Sequence, residues 1–274
     1  MVLQWLIELK DILFQVDSFT SDVFKGNPAG VCITESSLDE EMMLAIAAEM
    51  SLSETAFLSL NTMQLRWFTP ETEVALCGHG TLATAHVLRE QGLYSTGDTI
   101  EFGTLSGALT AQLDHDDIHL VFPAPILDMR ASINTDLLHG LGLDVADVNA
   151  YGQFDNKQLI VINDESLIEQ FEPDFSALLK QKGRGVVITA QSSTDADFVS
   201  RYFAPWVGVD EDPVTGSAHC ALCVYWAKEF GKAQLKGFQA SKRSGVVYTE
   251  LLSPEYVKLS GSAVTMLWGN MRIA

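Results

Sequence analysis

The sequence predicts an α+β protein of two similar lobes, each a curved, mostly antiparallel β-sheet or barrel wrapped around a central α-helix, with the active site in the inter-lobe cleft. Three observations predict it. Arg66-Trp67-Phe68-Thr69-Pro70 returns about half a chain later as Arg201-Tyr202-Phe203-Ala204-Pro205, and each copy runs into a Gly-led helical stretch. A repeat at that separation is duplication of a whole lobe rather than of a short solenoid unit. Both helical stretches are apolar nearly all round, with Leu82, Ala83, Ala85, Val87 and Leu88 in one and Ala221, Leu222, Val224, Tyr225 and Trp226 in the other. Such helices are buried on every side. Strand patterns outnumber helical ones elsewhere, so a sheet has to supply the cover.

The elements follow in order. Residues 12–17 read as a strand, 26–30 (Gly-Asn-Pro-Ala-Gly) as a loop, and 31–33 as a second strand. Met42, Met43, Ile46, Ala47 and Met50 fall at helical spacing within residues 38–50, with acids on the other face. Residues 56–58 and 65–68 are strands. Leu105, Gly107, Leu109, Ala111 and Leu113 alternate with more polar neighbours, and Ile118, Leu120 and Phe122 resume the alternation after an acidic turn, as in a hairpin. Pro123-Ala124-Pro125 breaks the pattern and is the linker candidate. Residues 159–162, 186–188 and 246–248 read as strands in the second half, and residues 263–268 as the last strand. The first lobe is therefore expected at 11–122, completed by 262–274, and the second at 123–261.

Composition narrows the function. At 274 residues, 47% hydrophobic and 19% charged, the chain has the make-up of an ordinary globular protein. It carries 17 Lys and Arg against 36 acids, a formal net charge of −19, and no basic stripe; this disfavours a nucleic-acid partner. No apolar run is long enough for a membrane helix. Residues 1–14 are apolar but contain Glu8, Lys10 and Asp11 and lack a basic start and a cleavage site. They are expected to be an extension leading into the first strand of a cytoplasmic protein. Cys32, Cys77, Cys220 and Cys223 are expected as free thiols, and the lone CxxC at 220–223 as core packing rather than a metal site, even with His219 beside it. No metal cluster, dinucleotide fingerprint or phosphate loop occurs, so neither cofactor nor metal is expected.

The two helix starts carry the chemistry. Gly78-His79-Gly80-Thr81 and Thr215-Gly216-Ser217-Ala218 each leave first-turn amides for an anion at the positive end of a helix. Glu54 lies between Leu52 and the apolar run Ala56-Phe57-Leu58, where partial desolvation lifts a carboxylate into the range useful to a general base. Ser51 three residues earlier offers a competing capping-box reading, which the strand pattern after Glu54 weakens. His79 can donate to developing charge or simply end a helix. Asp212 can hold a substrate amine or hydroxyl, or cap the second helix.

The segments Val16-Asp17-Ser18-Phe19-Thr20, Gly26-Asn27-Pro28-Ala29-Gly30-Val31, Leu52-Ser53-Glu54-Thr55-Ala56-Phe57, Arg66-Trp67-Phe68-Thr69-Pro70, Cys77-Gly78-His79-Gly80-Thr81 and Glu211-Asp212-Pro213-Val214-Thr215-Gly216-Ser217-Ala218-His219 occur in one order across most of the chain. In these segments the chain resembles the family of the phenazine-biosynthesis isomerase (PhzF-like), which shares its fold with diaminopimelate epimerase and proline racemase. In the racemases of that fold a cysteine begins each central helix. Here Cys77 stands at the first such position and Pro213 at the second, so a two-thiol racemase is disfavoured. The resemblance implies instead that Glu54 carries the proton and that His79, Asp212 and Ser217 complete the catalytic set. Gly78, Gly80, Thr81, Gly216 and Ala218 would line the substrate, with Asp17 and Asn27 bracing it. Cys77 stays a secondary candidate, favoured as a relic or packing residue.

The expected activity is a cofactor-independent isomerase that moves a proton between carbons of a small, unsaturated, carboxylate-bearing substrate. The alternatives are a racemase or epimerase using Cys77 with Glu54, and a non-catalytic small-molecule-binding or interaction protein. The expected partner is the small anionic substrate, with no nucleic acid and no membrane; a homodimer is what the resemblance implies.

Overall fold

The computed structural model describes residues 12–272; the expected N-terminal extension, residues 1–10, lies outside them. The chain divides into two compact units, Met1–Val121 with Ser260–Ala274, and Phe122–Leu259. Among the described residues no helix is long and apolar enough to cross a membrane.

In the first unit, Ile12–Ser18 pairs antiparallel with both Ala263–Asn270 and Asn27–Thr34. Asn27–Thr34 then runs parallel to Thr55–Ser59, which is antiparallel to Gln64–Phe68. Gln64–Phe68 touches Thr99–Thr104 through one parallel pair, and Thr99–Thr104, Gly107–Leu113 and Ile118–Pro123 follow as antiparallel neighbours. The helix Gly78–Glu90 packs against Ile12–Ser18, Asn27–Thr34, Thr55–Ser59, Gly107–Leu113 and Ala263–Asn270, strands drawn from across that order. The sheet therefore curls around it, and nine helix residues from His79 to Leu88 are buried. The amphipathic helix Glu40–Met50 lies outside, with Met43, Ile46 and Ala47 buried against Phe57 and Phe68.

The second unit repeats the same alternation. Val148–Phe154 is antiparallel to Lys157–Ile162, which is parallel to Gly185–Gln191. Gly185–Gln191 is antiparallel to Phe198–Ala204, which is parallel to Gln234–Gln239, and that strand is antiparallel to Gly245–Ser253. The helix Gly216–Phe230 follows the fourth of these strands just as Gly78–Glu90 follows Gln64–Phe68. It is buried through Ala218, Ala221, Leu222, Tyr225 and Trp226, against Phe154, Leu159, Val187 and Phe198.

The sequence repeat has a structural counterpart in each unit. Arg66 Nε lies 2.6 Å from Glu73 Oε1, with its guanidinium 5.0 Å from the centre of the Phe68 ring. Arg201 Nε lies 2.7 Å from Glu211 Oε1, with its guanidinium 4.9 Å from the Phe203 ring.

Residues 27–30 correct the sequence reading, because they belong to the strand Asn27–Thr34 rather than a loop. Pro28 is tolerated there near the start of a strand, where a missing amide costs little. The strands Glu73–Val74, Thr99–Thr104, Val148–Phe154, Phe198–Ala204, Val209–Glu211, Gln234–Gln239 and Tyr256–Gly261 escaped the pattern. In Gln234–Gln239 two of the inward positions hold Gly237 and Gln239, so the alternation is not one of apolar residues. A Cβ at Gly237 would come within 2.5 Å of the Phe198 ring. Cys220 and Cys223 are free, buried thiols in the second helix.

Candidate active site

Glu54 sits between the end of one element and the start of the next. The helix Glu40–Met50 ends at Ser51, which takes the left-handed conformation (φ 53°) and sends its amide back to Ala47. Ser51 thus closes a helix instead of opening one, and the capping-box reading of Ser51 and Glu54 falls away. The Glu54 carbonyl accepts the Gly30 amide at 3.1 Å, immediately before Thr55 pairs with Gly30. The backbone is pinned, and the side chain projects at the strand edge with 22% of its surface exposed.

Its neighbour is the helix start. His79 Nε2 lies 3.3 Å from Glu54 Oε2, and the His79 carbonyl accepts the buried Ser18 hydroxyl at 2.8 Å. Burial raises the Glu54 pKa above its ordinary 4.5, with the Ser53 hydroxyl acting in the opposite direction. A carboxyl so placed is held near the point where it can both take and return a proton.

Cys77 is the N-cap of Gly78–Glu90, and its Sγ accepts the Gly80 amide at 3.4 Å. Sγ lies 3.6 Å from His79 Nδ1 and 3.9 Å from Nε2. The thiol and the imidazole are thus within hydrogen-bond reach of each other, with the direction set by the tautomer. The donor atoms of Glu54, Cys77 and His79 all lie within 4.8 Å of one another. The three residues form one polar cluster.

The glycines of this helix start serve the fold as well as any ligand. A Cβ at Gly80 would come within 2.9 Å of Trp67 Cδ1 and 3.0 Å of Cys77 Sγ. The Gly80 amide is already committed to the sulfur. The Thr81 amide and hydroxyl both go to the Cys77 carbonyl, at 3.1 and 2.7 Å. Asp17 and Asn27 are buried on the adjoining strands, where Asp17 precedes the Ser18–Asn27 pair.

The second unit brings Asp212, Ser217, Gly216 and Ala218 to the start of Gly216–Phe230, and it does so through residues the sequence reading missed. Asp212 is not itself the cap. Thr215 is, and its hydroxyl donates to Asp212 Oδ2 at 2.5 Å rather than serving the helix. The buried Gln239 bridges the turn, accepting the Thr215 amide at 2.9 Å and donating to the Asp212 carbonyl at 2.6 Å. The Ser241 hydroxyl holds the Pro213 carbonyl at 2.7 Å. Lys157 Nζ donates to Ser217 Oγ at 3.2 Å. His219 Nδ1 lies 2.9 Å from the Thr215 carbonyl, which fixes the proton on Nδ1, and burial lowers its pKa to about 4. Neither Gln239, in a strand the apolar pattern did not mark, nor Lys157, the first residue of an ordinary strand, offers a sequence signal.

A family model described as phenazine biosynthesis-like protein matches residues 16–269. The chain belongs to the phenazine biosynthesis-like family. It is 45% identical over 258 residues to an uncharacterized isomerase of Halalkalibacterium halodurans, covering 93% of this chain and 96% of the relative. The crystal structure of a phenazine biosynthesis protein of the PhzF family from Enterococcus faecalis superposes with a TM-score of 0.88 at 37% identity, covering 96% of this chain and 99% of that one. A probable proline racemase from Agrobacterium radiobacter aligns with a TM-score of 0.59 at 10% identity over 96% of this chain and 93% of that one, a likeness of fold alone. The mixed α+β, sheet-dominated fold is thus that of the phenazine biosynthesis-like proteins and the racemases. Isomerase chemistry is the class that this family supports.

Proposed function

We propose that this phenazine biosynthesis-like protein is a cofactor-independent isomerase in which the Glu54 carboxylate removes a proton from one carbon of a small, unsaturated, carboxylate-bearing substrate and returns it to another. The observation that carries this reading is the Glu54–His79 pair: a desolvated carboxyl with a raised pKa, 3.3 Å from an imidazole whose backbone is anchored by Ser18. A base for a carbon acid needs a pKa near working pH, and desolvation is what supplies it. His79 holds the carboxylate in position and offers a hydrogen bond to the charge that builds on the substrate. Cys77 acts as the helix cap, with no proton-transfer role.

A single carboxylate predicts that one proton travels with the base. A substrate deuterated at the reacting carbon, turned over in ordinary water, is expected to give product carrying part of its label at the new carbon. Product with no transferred label, together with loss of turnover in Cys77→Ser, would replace the single base by a thiol–carboxylate pair.

A further inference from the structure

Proton transfer by Glu54 makes no use of the Cys77 thiol, yet the fold sets that thiol beside the base. Among the described residues, Glu54, Cys77 and His79 are the one group of three cysteine, histidine or carboxylate side chains whose donor atoms all lie within 4.8 Å of one another. They come from three different places: the residue before the strand Thr55–Ser59, the cap of the helix Gly78–Glu90, and the second residue of that helix. A thiolate, an imidazole and a carboxylate together suit zinc, whereas magnesium and calcium take oxygen ligands.

The separations agree with that ion. Tetrahedral zinc binds sulfur at about 2.3 Å and nitrogen or oxygen at about 2.0–2.2 Å, which sets neighbouring ligand atoms roughly 3.3–3.6 Å apart. His79 Nε2 and Glu54 Oε2 stand 3.3 Å apart, and Cys77 Sγ lies 3.6 Å from Nδ1 and 3.9 Å from Nε2 of the same ring. The adjustment left is one of direction: the His79 ring and the Cys77 thiol turn about their own side-chain bonds to aim at one point. Their backbone stays fixed, because the Ser18 hydroxyl holds the His79 carbonyl and the Thr81 hydroxyl holds that of Cys77.

The surroundings favour the metal-binding form of the thiol. Cys77 sits at a helix N-terminus, where a thiolate is stabilised, and the Gly80 amide already points at its sulfur from 3.4 Å. Such an outer hydrogen bond orients a metal ligand. Cys77 is 5% exposed and Glu54 22%, so an ion enters from the carboxylate side and keeps its fourth position for water. One thiolate, one carboxylate and a neutral imidazole cancel the charge of a divalent ion, and a chain of net charge −19 draws cations toward it.

We propose that Glu54, Cys77 and His79 form a zinc site, and that zinc bound there holds the protein inactive. On binding, the metal forms bonds to sulfur, nitrogen and oxygen, the thiol proton passes to solvent, and no electron is transferred. The ion occupies the carboxylate that would otherwise take the substrate proton. The inhibition rests on the isomerase reading; the binding does not.

The test titrates the intact, metal-free protein with Co2+, whose spectrum reports its ligands. A thiolate-to-cobalt charge-transfer band in the near ultraviolet and the strong visible bands of a four-coordinate ion are expected at a single equivalent. Zn2+ should abolish them, and excess Mg2+ should not. Cys77→Ser should lose the charge-transfer band, and His79→Gln and Glu54→Gln should each weaken Co2+ binding by at least the roughly tenfold that even an outer-shell change costs; cooperative thermal unfolding shows each variant folded. No thiolate band in wild type, a band that survives Cys77→Ser and so belongs to the Cys220–Cys223 pair, or unchanged affinity in either His79→Gln or Glu54→Gln would overturn the site. Solvent-deuterium incorporation should stop in the zinc-loaded protein and return with a chelator; incorporation that depends on Glu54 yet continues with zinc bound would overturn the inhibition. Metal binding intact alongside wild-type incorporation by Glu54→Gln would remove the isomerase reading and leave the zinc site standing.

Discussion

His79 Nε2 and Glu54 Oε2 lie 3.3 Å apart, one at the start of a buried helix and the other at the start of a strand. Neither residue can be placed by its own local sequence. The pair exists because the sheet that curls around Gly78–Glu90 brings the Glu54 loop, held by Gly30, onto the first turn.

Glu54 is expected to cost stability where it works. Its folded pKa lies above the ordinary 4.5 because burial penalises the anion. The folded protein therefore holds the proton more tightly than the unfolded chain. The associated stabilisation is full below the unfolded value and is lost as pH rises through the folded one. Glu54→Gln should accordingly melt at a higher temperature than wild type near neutral pH, with the gap closing in acid. Thermal unfolding across pH checks this.

His219 has the opposite sign. Its folded pKa is lowered from 6.5 to about 4, so the unfolded state takes up a proton in that window and the folded state does not. Stability is fully present above pH 6.5 and is lost as pH falls toward 4, by on the order of 3 kcal/mol for this one group. In His219→Asn, which keeps a donor for the Thr215 carbonyl, the slope of unfolding free energy against pH should flatten across that interval.

The first helix start tolerates little change in volume. Gly80→Ala places a carbon against Trp67 and the Cys77 sulfur and is expected to cost about 1–3 kcal/mol through overpacking. Cys77→Ser keeps an acceptor for the Gly80 amide and should retain most stability and turnover. Cys77→Ala loses the cap and should cost about 1 kcal/mol. Urea unfolding separates the three.

The duplicated arginines should differ in weight. Arg201 binds Glu211 through two nitrogens and also donates to the carbonyls of Ile168 and Phe171, at 3.2 and 2.9 Å. Arg66 binds Glu73 in the same way, but its further partner, Glu40, is 65% exposed. Arg201→Ala leaves a half-buried carboxylate and two carbonyls without their donor and should cost about 3–5 kcal/mol. Arg66→Ala should cost about 1.5–3 kcal/mol. Lysine restores neither bidentate pair.

Much of this was legible in the sequence because the repeat is local: the RWFTP and RYFAP segments each carry a strand, an arginine for a nearby glutamate, and a run into a buried helix. Glu54 was legible because a charged residue stood inside an apolar stretch. Gln234–Gln239 was not, because a glycine under Phe198 and a hydrogen-bonded glutamine took inward positions where apolar residues are sought. The commitment of the Gly80 amide to Cys77 was hidden too; a cysteine at a helix start reads as a nucleophile until its sulfur is seen to cap the turn. Lys157 gave no signal, since its distinction is the helix it meets 60 residues later.

The most direct test of Glu54 as the proton carrier is the rate of solvent-deuterium incorporation into a turned-over unsaturated carboxylate, wild type against Glu54→Gln. The account predicts a loss of about 100-fold or more, the scale of a missing general base, in a protein whose thermal unfolding shows it intact. Incorporation at the wild-type rate by Glu54→Gln would contradict it.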